Sequence, residues 1–118
     1  MKPEEGEYAI QRPERVTEPL LDIIEVFWRA IDGVYPYELA KKTKRGRPTI
    51  YNNLDRLSTL GWVTKGWEDP EHVRGRPLRK IYRLSPQGKR LAEELLIKYG
   101  RIGHEDFGAA AYGIGGDV

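Results

Sequence analysis

The chain has 118 residues, 32% of them charged and 39% hydrophobic, with a formal net charge of +2, two histidines and no cysteine. This is enough for one small domain, and it excludes a disulfide framework, a thiolate zinc site and thiol redox sensing. No apolar run approaches the ~18 residues of a membrane span, and the acidic opening MKPEEGEY has no apolar stretch of a secretory signal, so a cytoplasmic protein is expected.

Residues 1–16 hold Pro3, Gly6 and Pro13 with little periodicity and read as an N-terminal arm. Thr17 is placed to cap a helix, with Glu18 and Pro19 suited to its first turn. Leu20, Leu21, Ile24, Phe27, Trp28 and Ile31 then recur at helical spacing, so this first helix presents an apolar core or interface face. After Val34-Tyr35, Pro36 opens a short second helix to about Lys42, with Leu39 and Ala40 inward. Thr43-Lys44-Arg45-Gly46 is a polar turn. Pro48 suits the start of a third helix, Arg47 to about Leu60, whose Ile50, Leu54 and Leu57 follow helical spacing and which Gly61 stops.

Trp62 to Trp67 is rich in β-formers and reads as a strand; Glu68 to Pro77 is a loop; Leu78 to Leu84 is the returning strand. Trp62 and Trp67 stand five apart, so alternation places them on opposite faces, one of them in the core. Ser85-Pro86 caps a fourth helix to about Tyr99, with Leu91, Ala92, Leu95, Leu96 and Tyr99 on one stripe. Gly100 ends it, and the Gly-rich residues 101–118 read as a flexible tail. The expected class is mainly α with a small β-hairpin (α+β): residues 17–84 form a winged helix-turn-helix, and 85–100 a C-terminal dimerisation helix.

Charge is unevenly spread along this frame. Arg74 to Arg90 holds seven basic residues and no acidic one, the footprint of a phosphate-binding surface or of a solvated face. On the third helix, Thr49, Asn52, Asn53 and Arg56 lie opposite the apolar stripe and can bond base edges or phosphates. Arg47 stands at that helix's positive end, where it makes electrostatic sense only with an anion between. Tyr51 either bonds a phosphate or packs on the second helix. Lys41, Lys42, Lys44 and Lys65 read as non-specific phosphate contacts or solvated charge.

Arg45-Gly46-Arg47-Pro48 and Arg74-Gly75-Arg76-Pro77 are the same tetrapeptide, which resembles the core of the AT-hook. In the second copy, at the wing tip, Arg74 and Arg76 are expected to reach into a narrow A·T-rich minor groove. In the first copy, Arg45 is expected to anchor a phosphate. Arg79, on the returning strand, completes the expected DNA-binding set.

Glu38 to Val63 resembles the bacterial winged-helix transcription regulators. The segment Arg79-Lys80-Ile81-Tyr82-Arg83-Leu84-Ser85-Pro86-Gln87-Gly88 is similar to the second wing strand and following helix of the PadR family, a likeness that spans about residues 20–98. The turn Thr43–Gly46 departs from the pattern, since no apolar residue is there to tuck beneath it. The resemblance implies a sequence-specific transcription regulator, a repressor acting as a homodimer. Leu20, Ile24 and Phe27 with Leu91, Leu95, Leu96 and Tyr99 would form the dimer contact. It also implies a small apolar ligand at that contact, with Trp28 or Trp67 as a wall, although both are more simply packing residues. The alternatives are an architectural or plasmid/chromatin-partition binder of A·T-rich DNA, and a protein-interaction module. No catalytic set, phosphate-binding glycine loop, metal site or cofactor site is expected.

Overall fold

A computed structural model of the chain describes residues 12–30 and 32–106. Ile31, the expected arm before residue 12 and the expected tail beyond residue 106 lie outside them. The described elements are α1 (Glu18–Arg29), α2 (Pro36–Thr43), α3 (Arg47–Thr59), β1 (Val63–Trp67), β2 (Lys80–Leu84) and α4 (Pro86–Lys98). Single 3₁₀ turns add Pro70–His72 and His104–Asp106.

Each helix begins with the chemistry its sequence announces. The Thr17 hydroxyl accepts from the Leu20 amide, and the Ser85 hydroxyl from the Gly88 amide, so each satisfies a donor that the first helical turn leaves open. At α2 the Glu38 carboxylate reaches back to the Tyr35 amide at 2.9 Å. A proline stands at the start of all four.

The two strands pair antiparallel with Val63 opposite Leu84 and Trp67 opposite Lys80. Both are shorter than the sequence suggests, because Trp62 and Leu78 fall outside the ladder. Val34 adds an isolated bridge to Tyr82, closing the hairpin against the α1–α2 connection. Trp62 is buried and Trp67 is exposed.

One core joins all four helices and the hairpin through Leu20, Ile24, Leu39, Leu54, Trp62 and Leu96, all essentially without solvent contact. This corrects the expected dimer face. Leu20, Ile24, Phe27 and Leu96 are interior to a single protomer, because α4 lies against α1 within the same chain. Leu91 and Leu95 are half-buried, packing in part against that core, and Tyr99 is exposed, so these three keep some surface open along α4.

The close fit of α4 on the wing explains Gly88. A Cβ there would stand 2.2 Å from the Trp62 carbonyl oxygen. The same carbonyl accepts from the Ser85 amide at 2.8 Å, and the Ser85 hydroxyl donates to the Gly61 carbonyl at 2.8 Å. Beyond α4 the chain still belongs to the body: Ile102 is buried in the core cluster, and Arg101 bonds Glu18, Asp22 and Glu25 of α1.

Candidate nucleic-acid interface

The α2–α3 turn is Lys44-Arg45-Gly46, with Lys44 in the left-handed region (φ 59°). In place of the missing apolar side chain, Arg45 folds onto Asp22 of α1, with Nη2 at 2.9 Å and Nε at 3.2 Å from the same carboxylate oxygen. Arg101 takes the other oxygen at 2.8 Å. Partial burial works to raise the Asp22 pKa, but the two guanidiniums outweigh it and hold the carboxyl below its ordinary value. Arg45 is therefore engaged within the protein rather than held outward as a phosphate anchor.

Along α3 the expected reading face divides. Arg47, Tyr51 and Asn52 are exposed and Thr49 is half-buried. Asn53 is buried: its Nδ2 donates to the Thr49 carbonyl at 2.8 Å, and its Oδ1 faces Arg56 Nη1 at 3.5 Å. The reason is helical arithmetic. Asn53 stands three residues after Ile50 and four before Leu57, so it shares their side. Arg56 is also committed, donating to the Arg15 carbonyl at 2.7 Å and tying the end of the arm to α3. At the start of α3, Gly46 supplies no side-chain cap, so the first-turn amides keep their polarity toward solvent beside Arg47.

The wing is closed by a residue that sequence reasoning placed in a loop. Glu68 is buried, and its carboxylate accepts from Arg76 Nη1 and Nη2 at 2.9 and 3.1 Å, from the Tyr35 hydroxyl at 2.6 Å and from the Arg79 amide at 2.8 Å. These donors, Arg76 foremost, lower its pKa to about 2, while the carboxylate pushes the Tyr35 hydroxyl up. The AT-hook expectation is corrected here. Arg76, although exposed, is folded back onto Glu68, and Gly75 takes a left-handed φ of 78° rather than an extended backbone. Arg74 stays exposed at the tip, and Lys65 and Arg79 are exposed along the hairpin.

The outward cations and polar groups therefore sit on two neighbouring features, the exposed side of α3 and the hairpin. Between them runs a groove of about 450 Å³ lined by Tyr35, Tyr37, Arg47, Tyr51, Arg79 and Lys80, among others. Sequence reasoning did not single out Tyr37, Lys80 or Asp22 for this surface. A signal for Lys80 was present, since it sits in the acid-free basic run. Among the described residues no group of three or more His, Cys, Asp or Glu is placed to hold a metal ion. No described helix is long and apolar enough to cross a membrane.

A two-helix motif, a hairpin wing and a returning helix in this order form a winged helix-turn-helix. The model of the transcriptional regulator PadR-like family matches residues 32–94. The chain belongs to that family. Solved structures share the fold of this PadR-like regulator. A transcriptional regulator from Clostridium thermocellum superposes with a TM-score of 0.55 at 15% identity, covering 73% of this chain and 89% of its own. A PadR family transcriptional regulator from Eggerthella lenta gives 0.53 at 23% identity, covering 66% and 70%. MepR of S. aureus, in a structure with ethidium bromide, gives 0.54 at 20% identity, covering 79% and 69%. Among curated proteins none matches the sequence. The membership makes this a protein of transcriptional regulation and gives no support to an enzymatic role.

Proposed function

We propose that this PadR-like regulator is a sequence-specific repressor that binds duplex DNA as a homodimer. The observation that carries the reading is the uncapped, exposed start of α3, where Arg47, Tyr51 and Asn52 project next to a hairpin bearing Lys65, Arg74 and Arg79. A helix of this kind fits the major groove, with Asn52 and Thr49 at base edges. The cations flanking it supply the salt-dependent phosphate term. Arg74 at the wing tip reaches the adjacent minor groove or its phosphates. Arg45 and Arg76 belong to the scaffold, with Arg45 able to exchange Asp22 for a phosphate. Pairing of two chains uses the open surface of Leu91, Leu95 and Tyr99 along α4, and a small apolar ligand would be received beside Trp28 along that seam. The protein then works at the nucleoid, in the cytoplasm.

Selection of bound duplexes from a random pool tests the reading. Enrichment of one motif with two half-sites supports a dimeric, sequence-specific regulator. Broad recovery of A·T-rich DNA without a motif would replace it with the architectural alternative, and no recovery at all would sink both.

A further inference from the structure

Tyr37, Tyr51 and Trp67 are 56%, 43% and 60% exposed, three of the four large apolar side chains left open among the described residues. They are not scattered. Tyr37 and Tyr51 line the groove between α2, α3 and β2, together with Arg47, Arg79 and Lys80. Trp67 stands at its edge, directly across the ladder from Lys80, so the two side chains leave the hairpin on the same face.

Two of the rings, Tyr37 and Trp67, are held in place before anything binds. Tyr37 stacks on Tyr35 with centroids 5.3 Å apart, and the Arg79 guanidinium lies 5.9 Å from the Tyr37 centroid. The Lys80 ammonium lies 5.6 Å from the Trp67 centroid. Ordered side chains lose little freedom on binding. No acidic residue is among those lining the groove; the nearby Glu68 is already saturated by Arg76, Tyr35 and Arg79. A groove with three cations, phenolic hydroxyls and an open indole face matches a chain that alternates anions with flat apolar surface.

From this arrangement we infer that the groove seats the sugar–phosphate backbone of one strand of the bound duplex. Arg47, Arg79 and Lys80 hold successive phosphates, the Tyr37 and Tyr51 hydroxyls bond their oxygens, and the Trp67 ring packs on a deoxyribose. The seat rests on the duplex-binding reading above and extends it to α2 and to aromatic side chains. It fixes how deep α3 sits in the major groove, because the strand is gripped on both sides of it.

Tryptophan fluorescence of the full chain reads this directly. Trp62 is 1% exposed and Trp28 is half-buried, so Trp67 dominates the fraction that acrylamide can quench, and Trp67→Phe identifies it. The probe is one mixed-sequence or selected duplex, used also in a mobility shift. The expected result is that the duplex abolishes quenching of Trp67. Trp67→Ala should bind about tenfold more weakly at unchanged salt slope, and Arg79→Gln and Lys80→Gln should each lower the slope by about one. A shifted complex in which Trp67 stays quenchable overturns the seat and leaves duplex binding standing. A duplex that forms no complex overturns the functional reading and the seat together. Protection of Trp67 by the single strand at lower concentration than by the duplex overturns the seat in favour of an unpaired strand.

Discussion

Arg76 closes both terminal nitrogens on Glu68, at 2.9 and 3.1 Å, and so turns the wing tip back on its own base. The same carboxylate holds Tyr35 at the entrance to α2 and the backbone at Arg79. With its pKa lowered from 4.5 to about 2, the folded protein favours the ionised form. The stabilisation is therefore complete above the unfolded value and declines as pH falls from about 4.5 toward 2. Glu68→Gln should lower Tm at neutral pH, and the gap from wild type should narrow through that acid range. Thermal unfolding followed from pH 7 to pH 2 checks it; a gap of constant size would refute the assignment.

Asn52 and Asn53 are neighbours with different duties. Asn52→Ala should leave stability within about 0.5 kcal/mol and erase preference among duplexes while non-specific binding persists. Asn53→Ala removes a buried hydrogen bond and should cost about 1 kcal/mol. Denaturant unfolding combined with competition binding separates the two. Loss of affinity for all sequences alike in Asn52→Ala would argue against base reading.

Asp22 restrains Arg45. Asp22→Asn should steepen the salt dependence of DNA binding by about one unit of slope, because one more cation is released to phosphate. It should also lower stability by about 1 kcal/mol through the lost ion pairs. Titrations at several salt concentrations measure the first effect. An unchanged slope would mean that releasing Arg45 from Asp22 adds no phosphate contact.

Gly88→Ala places a Cβ against the Trp62 carbonyl, and backbone on both sides leaves little room to yield. The expected loss is about 2 kcal/mol or more, read from the urea midpoint.

Leu91 and Leu95 of α4 are half-buried, with part of each side chain still open to solvent. Leu95→Glu should convert a dimer into a folded monomer in sedimentation, whereas Leu20→Ala should cost about 2–5 kcal/mol of protomer stability by opening a core cavity. A dimer that persists in Leu95→Glu would move the seam elsewhere.

Much of the fold was legible because its signals are local. Thr17, Ser85 and the helix-opening prolines mark where helices start, and Ile50, Leu54 and Leu57 mark a face. The site was legible only in outline. Asn53 was misassigned because short polar residues read as outward, although its spacing from Ile50 and Leu57 already placed it inward. The pairing of Arg45 and Arg76 was hidden for a different reason: their partners, Asp22 and Glu68, lie 23 and 8 residues away. Whether an arginine is free or taken depends on which acid the tertiary fold brings beside it, and no window of the chain contains that. Leu20, Ile24, Phe27 and Leu96 were hidden from a dimer reading similarly, since periodicity shows that a helix has an apolar stripe but not which chain covers it.

The Trp62 carbonyl meets α4 within its first turn, with no side chain between them to act as a cushion. This contact ties the entrance of the hairpin directly to the start of α4. In a pair of protomers joined along α4, the distance between the two wings is set at the seam, far from DNA. A few degrees of pivot there would be magnified along the arm of each hairpin, and the spacing between half-sites would follow.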